Sequence, residues 1–214
     1  VVKWLWNYMK FHRGEQPPLH DRTRWMGDLY SEATRRLEEN PELESEVRAV
    51  YARWDQRDPE VVQLWQETRQ WSLDGFDEMY AVLGIPFDRY YFNSLAEQPG
   101  KVLVAELIHK GFAKDERPDG PVFFYLDEVL GNKEEKYRVL VVLRSDGTAL
   151  YATEDLALAG IKFADYPDLV KCLYVVDVRQ SLHFQQVFKV LEILGRPYAT
   201  KLQHVPYELV SLPG

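Results

Sequence analysis

The chain has 214 residues, 46% of them apolar and 14% aromatic, which is enough to bury one sizeable core or two modest ones and excludes disorder or a fibrous repeat. Its 26 basic and 34 acidic side chains leave a formal charge of −8, so no overall basic field draws nucleic acid to this surface. One cysteine, Cys172, excludes an internal disulfide framework and fits a reducing, cytoplasmic compartment, and no apolar run approaches the roughly 18 residues of a membrane helix.

The chain opens Val1-Val2-Lys3-Trp4-Leu5-Trp6, already inside an apolar helical pattern and without a Ser, Thr, Asp or Asn cap. It closes on the turn-forming Leu212-Pro213-Gly214 directly after a strand-like stretch. Both ends read as cuts from a longer protein. Residues 1–85 form the first region, where apolar residues recur at three and four, which predicts helices. Trp25, Leu29 and Ala33 repeat at four before an Asn40-Pro41 stop; Val47, Val50, Tyr51 and Trp54 follow. Asp58-Pro59 predicts an N-cap with proline at the first helical position, opening a helix that carries Val62, Trp65, Trp71, Phe76 and Met79. The tryptophans follow helical faces, as core or interface anchors do. The 11 basic and 16 acidic residues of this region interleave, the pattern of a solvated face.

Residues 86–214 change texture to short β-rich runs alternating with helical stretches, an α/β pattern. Strands are predicted near Phe87–Phe92, Val122–Leu126, Tyr137–Leu143, Cys172–Val178 and Leu202–Val210, with helices near Lys101–Lys110, Thr153–Ala164 and Leu182–Leu194. Gly111 and Gly195 stand where C-terminal caps belong. The continuously apolar Val139-Leu140-Val141-Val142-Leu143 and Leu173-Tyr174-Val175-Val176 predict strands of a parallel sheet covered on both faces.

Parallel sheets bind ligands beyond the carboxyl ends of their strands. Two such loops carry chemistry-bearing residues. After Leu143 comes Arg144-Ser145-Asp146-Gly147-Thr148-Ala149-Leu150-Tyr151, and a helix starting by Tyr151 puts Tyr151 and Asp155 on one face. A carboxylate beside a phenol suits a guanidinium or ammonium group. The same Ser-Asp-Gly-Thr is also an ordinary turn, and acids favour a first helical turn through the helix dipole. After Val178 comes Arg179-Gln180-Ser181-Leu182-His183-Phe184. Gln180 can donate to and accept from a ligand's polar ends and His183 can bond a phosphate or carboxylate, although Ser181 as a helix cap accounts for the run equally well. His204 lies on a short β-rich stretch and Cys172 inside an apolar run, each consistent with a structural role. No GxGxxG, Walker loop, CxxC or HExxH occurs, and His12, His20 and His109 have no companions at metal-ligand spacing.

In order and wording the chain resembles the catalytic core of the arginyl-tRNA synthetase family, class I aminoacyl-tRNA synthetases. The resemblance rests on Gly27-Asp28-Leu29-Tyr30-Ser31-Glu32-Ala33, on Trp71-Ser72-Leu73 with Phe76 and Tyr80, and on Phe87-Asp88. It rests more specifically on Ser145 through Tyr151 with Asp155-Leu156-Ala157, and on Tyr174 through Gln180 with Leu182-His183-Phe184. It implies a Rossmann-like class I synthetase catalytic core with a partial parallel sheet and a mainly helical N-terminal insertion. Residues 1–85 are then the connective insertion and residues 86–214 the second part of the catalytic domain.

The resemblance further implies an enzyme that activates L-arginine with ATP, assisted by Mg²⁺, and transfers it to the 3′ end of tRNA(Arg). Tyr151 and Asp155 fall on the guanidinium side of the arginine pocket and Gln180 on the substrate's backbone end; His204, with His183, lies toward ATP. Asn93-Ser94 departs from the family, where many members carry Glu-Ser. The HIGH and KMSKS signatures and the anticodon-binding domain are not in these 214 residues, which implies that the piece is inactive alone and binds nucleic acid weakly or not at all. The alternative from another functional class is a stand-alone α/β small-molecule binding or interaction module without ligase chemistry.

Overall fold

A computed structural model describes residues 1–133 and 136–208, with the backbone alone described at residue 55. The chain divides into two compact units, Val1–Asp88 and Arg89–Gly214.

The first unit is helical: α1 (Val2–Phe11), α2 (Arg22–Glu39), α3 (Glu44–Asp55) and α4 (Pro59–Leu83). Asp58 caps α4 as the sequence predicts, its carboxylate accepting from the backbone N–H groups of Glu60 and Val61 at 3.0 and 3.2 Å. Gly84 closes α4 at φ 65°, a left-handed conformation that costs glycine nothing. The core gathers Trp4, Leu5, Tyr8, Leu29 and Trp71, with the Trp4 and Tyr8 rings stacked at 5.3 Å. Buried Asn7 donates to the Leu29 carbonyl and to Glu32, both at 3.2 Å.

The second unit runs α5 (Asn93–His109), β1 (Ala113–Asp115), β2 (Val122–Tyr125), α6 (Leu126–Leu130), β3 (Val139–Leu143), α7 (Tyr151–Asp165), β4 (Cys172–Asp177), α8 (Ser181–Ile193) and β5 (Leu202–Tyr207). It is a mixed α/β fold with a small parallel sheet. The parallel pair is β4–β5, with Tyr174 opposite His204 and Val176 opposite Pro206. Val104, Leu107, Val122, Phe124, Val142, Leu156, Val187 and Val190 form the fully buried centre of one core that includes α5, α7, α8 and the inward faces of the strands. Gly111 and Gly195 stand just past α5 and α8 at φ 72° and 69°, and the following N–H groups, of Phe112 and Arg196, reach back to the Leu107 and Leu191 carbonyls at 2.9 Å.

Several strand expectations need correction. Residues 87–92 form no strand, although their aromatic side chains carry β propensity. Cys172 is half-buried at the edge of the core. β3 belongs not to the parallel sheet but to a separate antiparallel one of order β1-β2-β3. The expected covering of both faces also fails, since Val139 is 44%, Leu173 56% and Val175 65% exposed. An apolar run reports propensity for a strand; how many of its faces are covered depends on what packs there. The expected strand end at Val210 and the closing Leu212-Pro213-Gly214 lie outside the described residues.

α5 begins eight residues before the predicted Lys101 and carries Pro99-Gly100 in its interior. Gly100 sits against α7, where an added Cβ would lie 2.8 Å from Thr153 Cγ2 and closer still to the Thr153 carbonyl oxygen. The dipeptide that reads as a breaker is therefore where two helices touch. α7 is fixed from outside: the Thr153 hydroxyl donates to the Val142 carbonyl, and the Leu150 N–H donates to the same oxygen at 3.2 Å.

Candidate functional site

Between β3 and α7, Arg144-Ser145-Asp146-Gly147-Thr148 folds as a tight turn. Asp146 accepts from the Thr148 backbone N–H at 2.9 Å and from its hydroxyl at 2.7 Å. Those two bonds hold the Asp146 carboxyl below the usual range. Gly147 takes φ 81°, and Leu143 bridges Ala149 as the chain doubles back. Tyr151 is the first residue of α7, so Tyr151, Glu154 and Asp155 occupy its first turn and a quarter.

At the end of β4, Asp177 accepts from the Arg179 backbone N–H and from its guanidinium Nε, each at 2.8 Å. The guanidinium first, then that N–H, lower the Asp177 carboxyl below its ordinary value. The resulting short 3₁₀ turn, Val178–Gln180, delivers Gln180 exposed to solvent at the N-cap of α8. The Ser181 hydroxyl donates to the Val178 carbonyl at 2.6 Å and does not cap α8.

The structure brings three of the five candidate residues together. His183 Nε2 lies 2.6 Å from Asp155 Oδ2, and the His183 ring stands 4.9 Å from the Tyr151 ring. The His183 side chain is 10% exposed and that of Asp155 25%, so the pair is largely withdrawn from water while Tyr151 is 62% exposed. Phe184 separates the imidazoles, with His183 at 5.0 Å on one side and His204 at 5.1 Å on another. His204 Nε2 donates to the Val176 carbonyl at 3.0 Å across the parallel pair, which leaves Nδ1 of the neutral ring as an acceptor. Gln180 bonds neither Tyr151 nor Asp155 within the described structure. The sequence argument placed both loops at the carboxyl ends of strands in a parallel sheet. In fact β3 and β4 lie in different sheets, and the loops meet through α7 and α8.

Two neighbours escaped the sequence reading. Glu154 accepts from the Asn93 side-chain amide at 2.5 Å. Burial first, then the nearby charges of Glu97 and Asp155, push its carboxyl above the usual glutamate range against that bond. The signal was present in part, because Glu154 stands three residues after Tyr151. Tyr174 is buried beneath the site between Phe184 and Phe188, with ring distances of 5.1 and 5.2 Å. Burial raises its phenol far above the ordinary tyrosine value. Among the described residues no group of three or more His, Cys, Asp or Glu could hold a metal ion.

Comparison with known proteins gives the class: the chain matches the family described as tRNA synthetases class I (R), catalytic domain, over residues 2–212. The chain belongs to that family. It is 39% identical over its whole length to the arginine–tRNA ligase of Bdellovibrio bacteriovorus and covers 36% of it. It is 36% identical to that of Amoebophilus asiaticus, over 96% of this chain and 32% of the relative. It thus spans about a third of the length of these curated relatives. The fold resembles the Thermus thermophilus arginyl-tRNA synthetase with TM-score 0.68 and 22% identity, covering 97% of this chain and 39% of that one. The Plasmodium falciparum enzyme gives 0.64 at 20% identity, covering 97% and 34%.

Proposed function

We propose that this chain is the arginine-recognising part of an arginine–tRNA ligase longer than these 214 residues, which activates L-arginine with ATP and passes it to tRNA(Arg). The observation that carries the reading is the Asp155–His183 pair beside the Tyr151 ring at the meeting of α7 and α8, in a chain of this family. Asp155 binds the guanidinium. Its Oδ2 is held by the His183 imidazole, which orients the carboxylate without neutralising it by a Lys or Arg, and Oδ1 has no partner among the described residues. A half-buried carboxylate so arranged favours a full positive charge, and a neutral side chain leaves it unpaired at a cost of about 1–3 kcal/mol. The Tyr151 hydroxyl adds an orienting hydrogen bond, and Gln180 serves the substrate's amino and carboxylate end.

His183 is committed to Asp155, so contact with ATP falls to His204, whose Nδ1 can accept from a ribose hydroxyl or the adenine amino group. When Mg²⁺ is bound to ATP it offsets charge on the phosphates; the described residues include no cluster to hold it. The chain's own share is orientation: it fixes the amino acid so that its carboxylate meets the α-phosphate. Residues 1–85 act as the connective insertion, residues 86–214 as the second part of the catalytic domain, and the protein works in the cytoplasm. No helix among the described residues is long and apolar enough to cross a membrane. The test is amino-acid-dependent ATP–pyrophosphate exchange by the full-length protein, measured with and without tRNA. Exchange with arginine, and none by the 214-residue piece alone, is expected; exchange driven by another amino acid and not by arginine, or none by the full-length protein, contradicts the reading.

A further inference from the structure

The acids around α7 differ in how their charge is met. In the same unit Glu97, Glu106, Asp165 and Asp177 each have a Lys or Arg partner within the ion-pair range, at 2.9, 2.9, 3.0 and 2.8 Å. Glu154 and Asp155 have none among the described residues. Glu154 is met by a neutral amide, that of Asn93, and Asp155 by an imidazole. Adjacent, half-buried carboxylates without a cation repel one another and lose hydration, and a cation arriving from outside relieves both costs.

The donor count points the same way. A guanidinium presents five N–H groups in a rigid fork. The remaining oxygen of Asp155 and the hydroxyl of Tyr151 cannot accept from all of them. Tyr151, Glu154 and Asp155 stand at i, i+3 and i+4 in the first turns of α7, which puts Glu154 beside both along the helix. Asn93, the first residue of α5, reaches it from 61 positions away in sequence at 2.5 Å, and holds one oxygen while the other remains without a hydrogen bond among the described residues.

We infer that Glu154 is a second specificity-determining carboxylate of the arginine pocket and that Asn93 positions it there. The inference rests on the arginine-binding reading above. The Asn93–Glu154 pair adds charge selectivity to a site in which Asp155 already shares one oxygen with His183.

The experiment uses the full-length protein and four variants: Glu154→Gln, Asp155→Asn, Asn93→Ala and the exchange Asn93→Glu with Glu154→Gln, which moves the acid across one hydrogen bond. Michaelis constants for arginine and ATP, inhibition by citrulline as the uncharged analogue, and melting temperature are measured for each. Glu154→Gln is expected to raise the arginine KM about three- to tenfold, the effect of one charged hydrogen bond reduced by partial exposure. The ATP KM should not follow, and the variant should discriminate less well against citrulline. The melting temperature should hold or rise, since a repulsion disappears; a merely structural glutamate would lower it. Asn93→Ala should give a smaller rise in arginine KM, and the exchange should recover most of the loss. If Asp155→Asn raises the arginine KM and Glu154→Gln does not, the inference falls and the arginine reading stands. If neither moves it, the arginine reading falls with it. Failure of the exchange to recover binding overturns the role given to Asn93.

Discussion

Nε2 of His183 lies 2.6 Å from Oδ2 of Asp155, joining the first turn of α8 to that of α7 across 28 residues of sequence. The contact turns two separate loop motifs into one site and determines how each side chain is employed. Asp155 cannot offer both oxygens to a ligand, and His183 cannot swing freely toward another. His183 is therefore a positioning residue. His183→Ala should raise the arginine KM about two- to twelvefold, the effect of one hydrogen bond of about 0.5–1.5 kcal/mol, because Asp155 loses its positioning contact and keeps its charge. His183→Gln, which can still donate to the carboxylate, should recover part of this. Equal arginine KM values in wild type and both variants would show that Asp155 needs no such support.

Tyr151 is largely exposed, so its ring contributes little to the core and its hydroxyl is the group to test. Tyr151→Phe should weaken arginine binding by about 0.5–1.5 kcal/mol while leaving the melting temperature unchanged. A fall in melting temperature without a change in arginine KM would assign Tyr151 to the fold.

Gly100 sits where α5 rests against α7, and an added methyl group meets the Thr153 backbone. Backbone cannot move aside as a side-chain end can. Gly100→Ala should destabilise the protein by about 1–3 kcal/mol. Because Thr153 neighbours Glu154 and Asp155, the arginine KM should rise as well. Chemical denaturation together with kinetics reads both, and unchanged stability would mean that the helices separate at little cost.

Asp58 accepts two backbone N–H groups and pairs with Arg53 at 3.0 Å. The Arg53 guanidinium first, then the Val61 N–H, hold its carboxyl below the ordinary aspartate value. A depressed acid contributes stability that is present above its unfolded value and lost as pH falls through its folded value, so this contribution fades in the acid range below the ordinary aspartate pKa. Asp58→Asn keeps a cap acceptor and removes the charge. Its melting temperature should lie below wild type at pH 7, with the gap closing as the pH falls toward 3. A gap that stays constant across that range would remove the ion pair from the account.

Local chemistry made the helices legible. Asp58-Pro59 and the glycines at 111 and 195 act where they stand, because caps depend on residues only a few positions apart. The sheets were harder to read. Val139–Leu143 and Cys172–Asp177 have the same apolar texture, yet one pairs antiparallel and the other parallel, since pairing depends on distant partners. The short, mostly polar β1 has no periodicity to detect, and Pro99-Gly100 hid a helix–helix contact behind a breaker signal. At the site, spacing was sufficient to bring Tyr151 and Asp155 to one face. The contacts of Asp155 with His183 and of Glu154 with Asn93 span 28 and 61 positions, beyond what any local pattern carries.

The central claim is that Asp155 selects the guanidinium, and the most direct measurement is the arginine KM of the full-length Asp155→Asn protein in ATP–pyrophosphate exchange, beside its thermal melt. The substitution keeps the shape and removes the charge. The account predicts a loss of about 1.5–3 kcal/mol in arginine binding, a rise of roughly 10- to 150-fold in KM, with the melting temperature near wild type. An unchanged arginine KM, with or without a lower melting temperature, would contradict it.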